Sequence, residues 1–336
     1  MDMEMIEAQP EGGFKRVVTP IPLLGEHDVL VQVKATGLNP IDGKQRTVIE
    51  KPKVLGFDAV GIVAQVGASV QAFQPGDRVF YSGDIARPGS LANYQLVREE
   101  IMALAPQNLT DVEAATIPLT FLTAYELLVD KFGLVAREGA ATGQTLFIVN
   151  GAGAVGRVMT QLAKWMGMQV IATASTVESQ NMVRANGADY VVNHYEDYLQ
   201  ELKENGWTDI PYIALLHEPN RHFAKVAELI APFGHIGMIV APDGPVDIGL
   251  VKNKSVSLDW EFMFVKASNE LLMETQGAAL ALAAELSGAD IITPYVGDVF
   301  AISDINSIEE VFIYMDNSET YGKAVIRRSI SFKRTL

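Results

Sequence analysis

The sequence predicts an α/β chain: a β-rich, partly antiparallel segment together with a doubly wound parallel sheet. Three observations predict it. Short alternating apolar runs, separated by Pro-Gly turn signals, fill the first third. From about Asp111, apolar strands alternate with helical stripes. Within that alternation, Gln144–Gly156 reads as an apolar strand, then Gly151, Gly153 and Gly156 in G-x-G-x-x-G spacing, then a helix.

Asp28–Ala35 alternates as a strand should, and further strands are expected at Ala59–Val66, Asp77–Phe80 and Ser90–Val97. Gln74-Pro-Gly-Asp77 and Arg87-Pro-Gly-Ser90 mark turns between them. Thr110-Asp-Val-Glu113 has the form of a capping box and opens the helical region. Strands follow at Leu146–Val149, Val170–Ala174, Tyr190–Val192, Tyr212–Leu216, His235–Val240 and Ser255–Leu258, with helices between most of them, including Arg221–Ala231. Six such strands match a doubly wound sheet. Beyond Trp260 the pattern predicts a helix at about Glu270–Leu286, a strand at Val296–Phe300, a helix at Glu309–Asp316 and a final strand at Lys323–Arg327, which rejoin the first domain.

The glycine segment carries the first functional expectation. Val155, Val158, Met159, Leu162, Ala163 and Met166 form one apolar stripe, so a helix starts directly after the glycines. A glycine turn lets backbone approach a pyrophosphate, and the helix start at Ala154, Val155 and Gly156 supplies free N–H groups and a partial positive charge. A dinucleotide is therefore the expected ligand. An acid ending the second strand would bind a ribose 2′-hydroxyl and repel a 2′-phosphate. The sequence there reads Ala174-Ser175-Thr176, which favours NADP(H), although Glu178 lies close and opposes it.

Composition sets the surroundings. With 49% hydrophobic and 20% charged residues over 336 positions, the balance is that of a globular protein of one or two domains. The absence of cysteine excludes disulfides, a thiolate zinc site and a cysteine nucleophile, and suits the cytoplasm. A net charge of −15 argues against nucleic-acid partners. No uninterrupted apolar stretch reads as a membrane span, and Met1–Ile6 lacks a basic leader region, so no membrane partner is expected.

Taken in order, several stretches resemble the medium-chain dehydrogenase/reductase superfamily, within it the zinc-free quinone oxidoreductase branch that includes proteins labelled zinc-type alcohol dehydrogenase-like. They are Gly37-Leu-Asn-Pro-Ile-Asp42, Leu55–Gly61, Pro75–Val79, Gly89–Tyr94, Pro118–Glu126, the glycine segment, Trp260–Phe264 and Gly322–Ile326. The resemblance implies a GroES-like catalytic domain from residues 1–122 and 265–336, and a Rossmann NADP-binding domain over 123–264. Zinc-dependent relatives carry Cys and His-Glu where this chain has Asn39 and Phe57-Asp58, and a four-cysteine loop that it lacks. No zinc is expected. The five histidines show no pair at ligand spacing, and Asp58 either joins an oxygen site with Asp42 or pairs locally.

The same resemblance implies site residues. Asn39 and Asp42 would lie at the mouth of the catalytic cleft, while turn chemistry around Pro40 accounts for them equally well. Thr123 would lie against the nicotinamide, or serve as a capping hydroxyl at a helix start. Phe262 and Phe264 would pass beside the nicotinamide, though Phe264, like Tyr94, also suits a core. Ser179 and His194 stand where relatives use a basic residue and a tyrosine toward the 2′-phosphate. Lys323 would hydrogen-bond the cofactor or sit solvated. Relatives join through the sheet edge, here Val256–Asp259, which implies a homodimer. The activity implied is NADPH-dependent hydride transfer to a quinone or enone without metal, the developing charge being met by donors such as Asn39 and spread by conjugation. An alcohol dehydrogenase, or a non-catalytic NADPH-binding sensor or structural protein, are the alternatives.

Overall fold

The computed structural model describes residues 2–301, 305–316 and 322–328. The chain forms two compact units, one from Met1–Leu119 with Phe264–Leu336 and one from Thr120–Met263.

The first unit opens with a hairpin, β1 (Asp2–Ala8) and β2 (Phe14–Pro20), paired in register from Asp2 opposite Pro20 to Ala8 opposite Phe14. The sequence reading did not include it, although Met3 and Ile6 are buried and Gly12 and Gly13 both turn at positive φ. Next come β3 (Asp28–Gly37), α1 (Pro40–Val48), β4 (Lys53–Val54), β5 (Asp58–Val66), β6 (Arg78–Tyr81), β7 (Tyr94–Arg98) and β8 (Met102–Leu104). The predicted strand from Ser90 starts only at Tyr94. Ser90 and Leu91 instead donate their N–H groups to Gly56 and Leu55 in a buried loop crossing. Then α2 (Asp111–Ala114) begins on the expected capping box, Thr110 accepting from Glu113 N–H while Glu113 reaches back to Thr110 N–H at 2.8 Å. After it comes α3 (Pro118–Glu126), continued by a wider turn to Lys131.

Among the described residues, Asp111–Lys131 is long and apolar enough to cross a membrane by length and composition alone, though the acidic residues Asp111, Glu113, Glu126 and Asp130 interrupt it. Its most apolar window is 78% buried inside the protein, as a core segment is.

The second unit is a six-stranded, wholly parallel sheet in the order β11-β10-β9-β12-β13-β14. Its elements are β9 (Thr145–Val149), α4 (Ala154–Trp165), β10 (Gln169–Thr173), α5 (Val177–Ala185), β11 (Tyr190–Val192), α6 (Tyr198–Glu204), β12 (Ile210–Leu215), α7 (Pro219–Leu229), β13 (Ile230–Met238) and β14 (Ser257–Trp260). The order reverses between β9 and β12, the switch point where open α/β sheets bind ligands. The strands are near-continuous apolar runs because helices cover them; Phe147, Ile171, Ile213, Leu215 and Ile236 are fully buried in one core. β14 begins two residues later than predicted, because Ser255 adopts a left-handed φ of 52° that closes the preceding turn.

The tail returns to the first unit with α8 (Phe264–Ser268), α9 (Met273–Gly288), β15 (Val296–Ala301), α10 (Ile305–Asp316) and β16 (Lys323–Arg327). Helix α9 starts three residues after the predicted Glu270, since Glu270 and Leu272 both have positive φ. β16 pairs antiparallel with β3 and parallel with β15, completing a sheet ordered β15-β16-β3-β5-β6-β8, with β7 also on β3. That pairing brings Lys323, from the far end of the sequence, beside residues 37–58.

Candidate active site

The glycine turn lies where β9 hands over to α4. Its left-handed residue is Asn150, at φ 71°, not Gly151; asparagine tolerates that region better than most side chains. Gly151 is needed for a different reason. A Cβ there would sit 2.6 Å from the Ala172 Cβ on the neighbouring strand. Gly156 carries the closest approach: its Cβ would lie 2.4 Å from the Asn150 carbonyl oxygen and 2.8 Å from the Gly151 Cα. Gly153 is the N-cap of α4 and offers no side chain to cap it. The first-turn N–H groups of Ala154, Val155 and Gly156 are therefore left without a capping side chain, which is the donor set a pyrophosphate uses. These residues fit a dinucleotide.

Behind the turn, the Thr173 hydroxyl accepts the Asn150 N–H at 2.9 Å and contacts His194 Nδ1 at 3.1 Å. His194 thus faces inward to β10, and burial holds its pKa below the usual value. Thr176 caps α5, accepting from Ser179 N–H, and the Ser179 hydroxyl donates back to the Thr176 carbonyl at 3.0 Å. Ser179 is buried in that cap, with its hydroxyl engaged by the turn itself. Ser175 stays partly exposed at the strand end. Sequence reasoning missed Arg221. Its guanidinium lies 4.5 Å from the Tyr195 ring centre and 3.5 Å from the His194 carbonyl. No local pattern signals this, because the contact joins the first turn of α7 to the loop after β11.

The first unit holds a buried polar cluster. Asn39 is the N-cap of α1 and Asp42 its third residue, so helix-start chemistry does place both. The Asp42 carboxylate accepts the Asn39 N–H and the Gly56 N–H, each at 2.8 Å. With both oxygens engaged by backbone and the residue fully buried, Asp42 braces the turn between α1 and Gly56. Burial first, and the Asp58 charge second, push its pKa up to about 7, against the pull of those two hydrogen bonds. Asp58 is the hub. One oxygen accepts the Leu119 N–H at 2.7 Å; the other accepts the Asn39 side-chain amide at 3.0 Å and the Lys323 ammonium. All three of Asn39, Asp58 and Lys323 are buried.

Lys323 is therefore not solvated; it is the buried counter-ion of Asp58. Phe264 is buried, edge-on to Phe57 with ring centres 4.8 Å apart. Phe262, by contrast, is 48% exposed. Thr123 is buried within the body of α3, five residues after its start, so it is not a cap. Tyr94 packs partly buried against a core cluster.

Comparison with known proteins places both units in known families. Residues 25–107 match the alcohol dehydrogenase GroES-like domain family, and residues 154–263 match the zinc-binding dehydrogenase family. A zinc-type alcohol dehydrogenase-like protein of Staphylococcus epidermidis is 44% identical over 253 residues, 75% of each chain. The chloroplastic NADPH-dependent alkenal/one oxidoreductase of Arabidopsis thaliana is 37% identical over 198 residues, 55% of this chain and 49% of that one. A solved mycobacterial quinone oxidoreductase superposes with a TM-score of 0.80 at 26% identity, covering 97% of this chain and 99% of the other.

The family name raises zinc, and the residues here do not fit it. Among the described residues no group of three His, Cys, Asp or Glu side chains is placed to hold a metal. Asn39 and Phe57 are not zinc donors of the usual kind, and Asp58 already carries an ammonium.

Proposed function

The chain belongs to the medium-chain dehydrogenase/reductase superfamily, and from that premise we propose that it is an NADPH-dependent reductase of quinones or other conjugated carbonyls that works without metal. The observation that carries this reading is the buried Lys323–Asp58–Asn39 cluster, in which Asp58 is already neutralised by an internal cation and holds an amide donor in place. The uncapped start of α4 would hold the pyrophosphate. The reduced nicotinamide, when bound, supplies a hydride. This chain's part is to bind it, and to meet charge developing on the substrate oxygen with the second amide proton of Asn39, the first being held by Asp58. One neutral donor is a weak electrophile, so the acceptor must spread its own negative charge, as a quinone or enone does and a simple ketone does not.

The preference for the 2′-phosphate is supported by the absence of an acid at Ala174–Thr176 and by the Arg221 cation near His194. The name of the plant relative points the same way. A homodimer completes the reading: β14 is an edge strand, flanked by exposed Ile248, Leu250 and Trp260, and a second copy would cover it.

The deciding experiment is an oxidation screen of NADPH and NADH against quinones, enones and simple alkanals, with and without chelator. Chelator-resistant turnover of a conjugated acceptor is expected, with NADPH preferred. Turnover only of unconjugated carbonyls, or turnover abolished by chelator, would reject the proposal.

A further inference from the structure

We infer that Lys323 is a positioning residue: through Asp58, its ammonium sets the orientation of the Asn39 amide, so that one amide proton is held by the carboxylate and the other points away from it. The inference rests on the reading of Asn39 as the donor to the substrate oxygen.

The geometry is a chain of three buried groups. Asp58 accepts the Asn39 Nδ2 group and the Lys323 ammonium on the same oxygen, while its other oxygen holds the Leu119 N–H. An ionised carboxylate only accepts. It therefore dictates which end of the Asn39 carboxamide faces it, the nitrogen and never the oxygen. The backbone of Asn39 is held independently, its N–H on the Asp42 carboxylate at 2.8 Å and its carbonyl accepting the Asp42 N–H at 2.9 Å. What remains free to turn is the amide plane, and Asp58 removes that freedom. A carboxylate buried among β3, β5 and the start of α3 needs a counter-charge to remain one. Lys323 supplies it from β16, more than 260 residues along the chain. Without the ammonium, the group facing Asn39 no longer acts as a pure acceptor, and either end of the amide can face it.

The arrangement also explains why a lysine serves here. Its stem runs through the packed β16–β3 region, where Ala324, Val325 and Ile326 are buried, and only its head meets a polar group.

The test uses the side-chain amide signals of Asn39 in deuterated, 15N-labelled protein, identified by their loss in Asn39→Ala. In the wild type two well-separated, slowly exchanging protons are expected. In Lys323→Met the separation and the protection should be lost, and in Lys323→Arg, which keeps the charge, they should persist. Because a lone buried carboxylate can unfold the chain, Lys323→Met/Asp58→Asn removes both charges together and should show the same loss in a folded protein. Unchanged Asn39 signals in either charge-removed variant overturn the inference. A kinetic arm uses quinone turnover: Asn39→Ala should lower kcat on the order of 100-fold, and Lys323→Met should add nothing further in the double variant. Additive losses overturn the coupling. If the wild type reduces no conjugated acceptor, the proposed function fails, while the amide signals still decide the role of Lys323.

Discussion

The two units build their candidate sites from different material. In the parallel-sheet unit the groups that would meet a ligand are backbone N–H donors at the start of α4, exposed by glycines that leave no room for a Cβ. In the β-rich unit they are side chains, Asn39, Asp42, Asp58 and Lys323, drawn from α1, β5 and β16 and buried around one carboxylate. A backbone site is tuned by shape and suffers when atoms are added. A side-chain site is tuned by charge and suffers when a partner is removed.

The largest expected effect tests the second half of that contrast. Lys323→Ala leaves the buried Asp58 without its cation, and breaking such a pair costs about 3–5 kcal/mol. Urea unfolding should show it, and a loss under about 1 kcal/mol would mean the pair is far better solvated than its burial indicates. The matching test in the other unit adds an atom. Gly156→Ala drives a Cβ onto the Asn150 oxygen and the Gly151 Cα, both backbone, so about 2–3 kcal/mol should be lost and nucleotide binding with it. Gly153→Ala meets only the Asn150 side-chain amide at 2.9 Å, which can swing aside. Its stability cost should stay near about 1 kcal/mol, the difference between glycine and alanine at an N-cap. Equal costs at the two glycines would break the backbone account.

pH separates the units in direction. Asp42 has a folded pKa raised to about 7 by burial, so the folded state holds a proton that the unfolded chain releases near its ordinary value. Its contribution is fully present below about pH 4 and is lost as pH rises toward 7. His222, buried against the Tyr198 hydroxyl at 3.1 Å, has a folded pKa lowered to about 4. Its contribution is present above about pH 6.5 and is lost as pH falls toward 4. Asp42→Asn should therefore remove a decline on the alkaline side, and His222→Gln one on the acid side, in unfolding midpoints measured between pH 4 and 8. Slopes of the same sign for both residues would refute the assignment.

The contrast also accounts for what the sequence showed. The backbone site lies in one contiguous stretch, where the glycine spacing and the Val155–Met166 stripe were both readable, as were the strands flanking it. Even so, the left-handed turn residue proved to be Asn150, since a glycine in a turn motif can serve close packing as easily as a positive φ. The side-chain site joins positions up to 284 residues apart through the β16–β3 pairing, which leaves no periodic trace. Asn39, Asp42 and Lys323 were each recognisable through family resemblance, but not the fact that Asp58 binds two of them. Arg221 and the β1–β2 hairpin went unread, the first because it depends on the start of α7 meeting the loop after β11, the second because a strand of alternating acids and methionines is a faint signal.

The smallest effect sharpens the boundary between the two kinds of site. Ser179 sits at the edge of the nucleotide region yet behaves as a structural side chain, its hydroxyl donating to the Thr176 carbonyl and its N–H to the Thr176 hydroxyl. Ser179→Ala removes the reciprocal half of that capping box and should cost about 0.5–1 kcal/mol in thermal unfolding. The ratio of NADPH to NADH affinity should not move if the hydroxyl keeps the hydrogen bonds of its own turn. Arg221→Ala should do the opposite, leaving stability within about 0.5 kcal/mol while weakening NADPH more than NADH. A change in coenzyme preference with Ser179→Ala would return that residue to the ligand, and would mean that the α5 cap opens when the nucleotide binds.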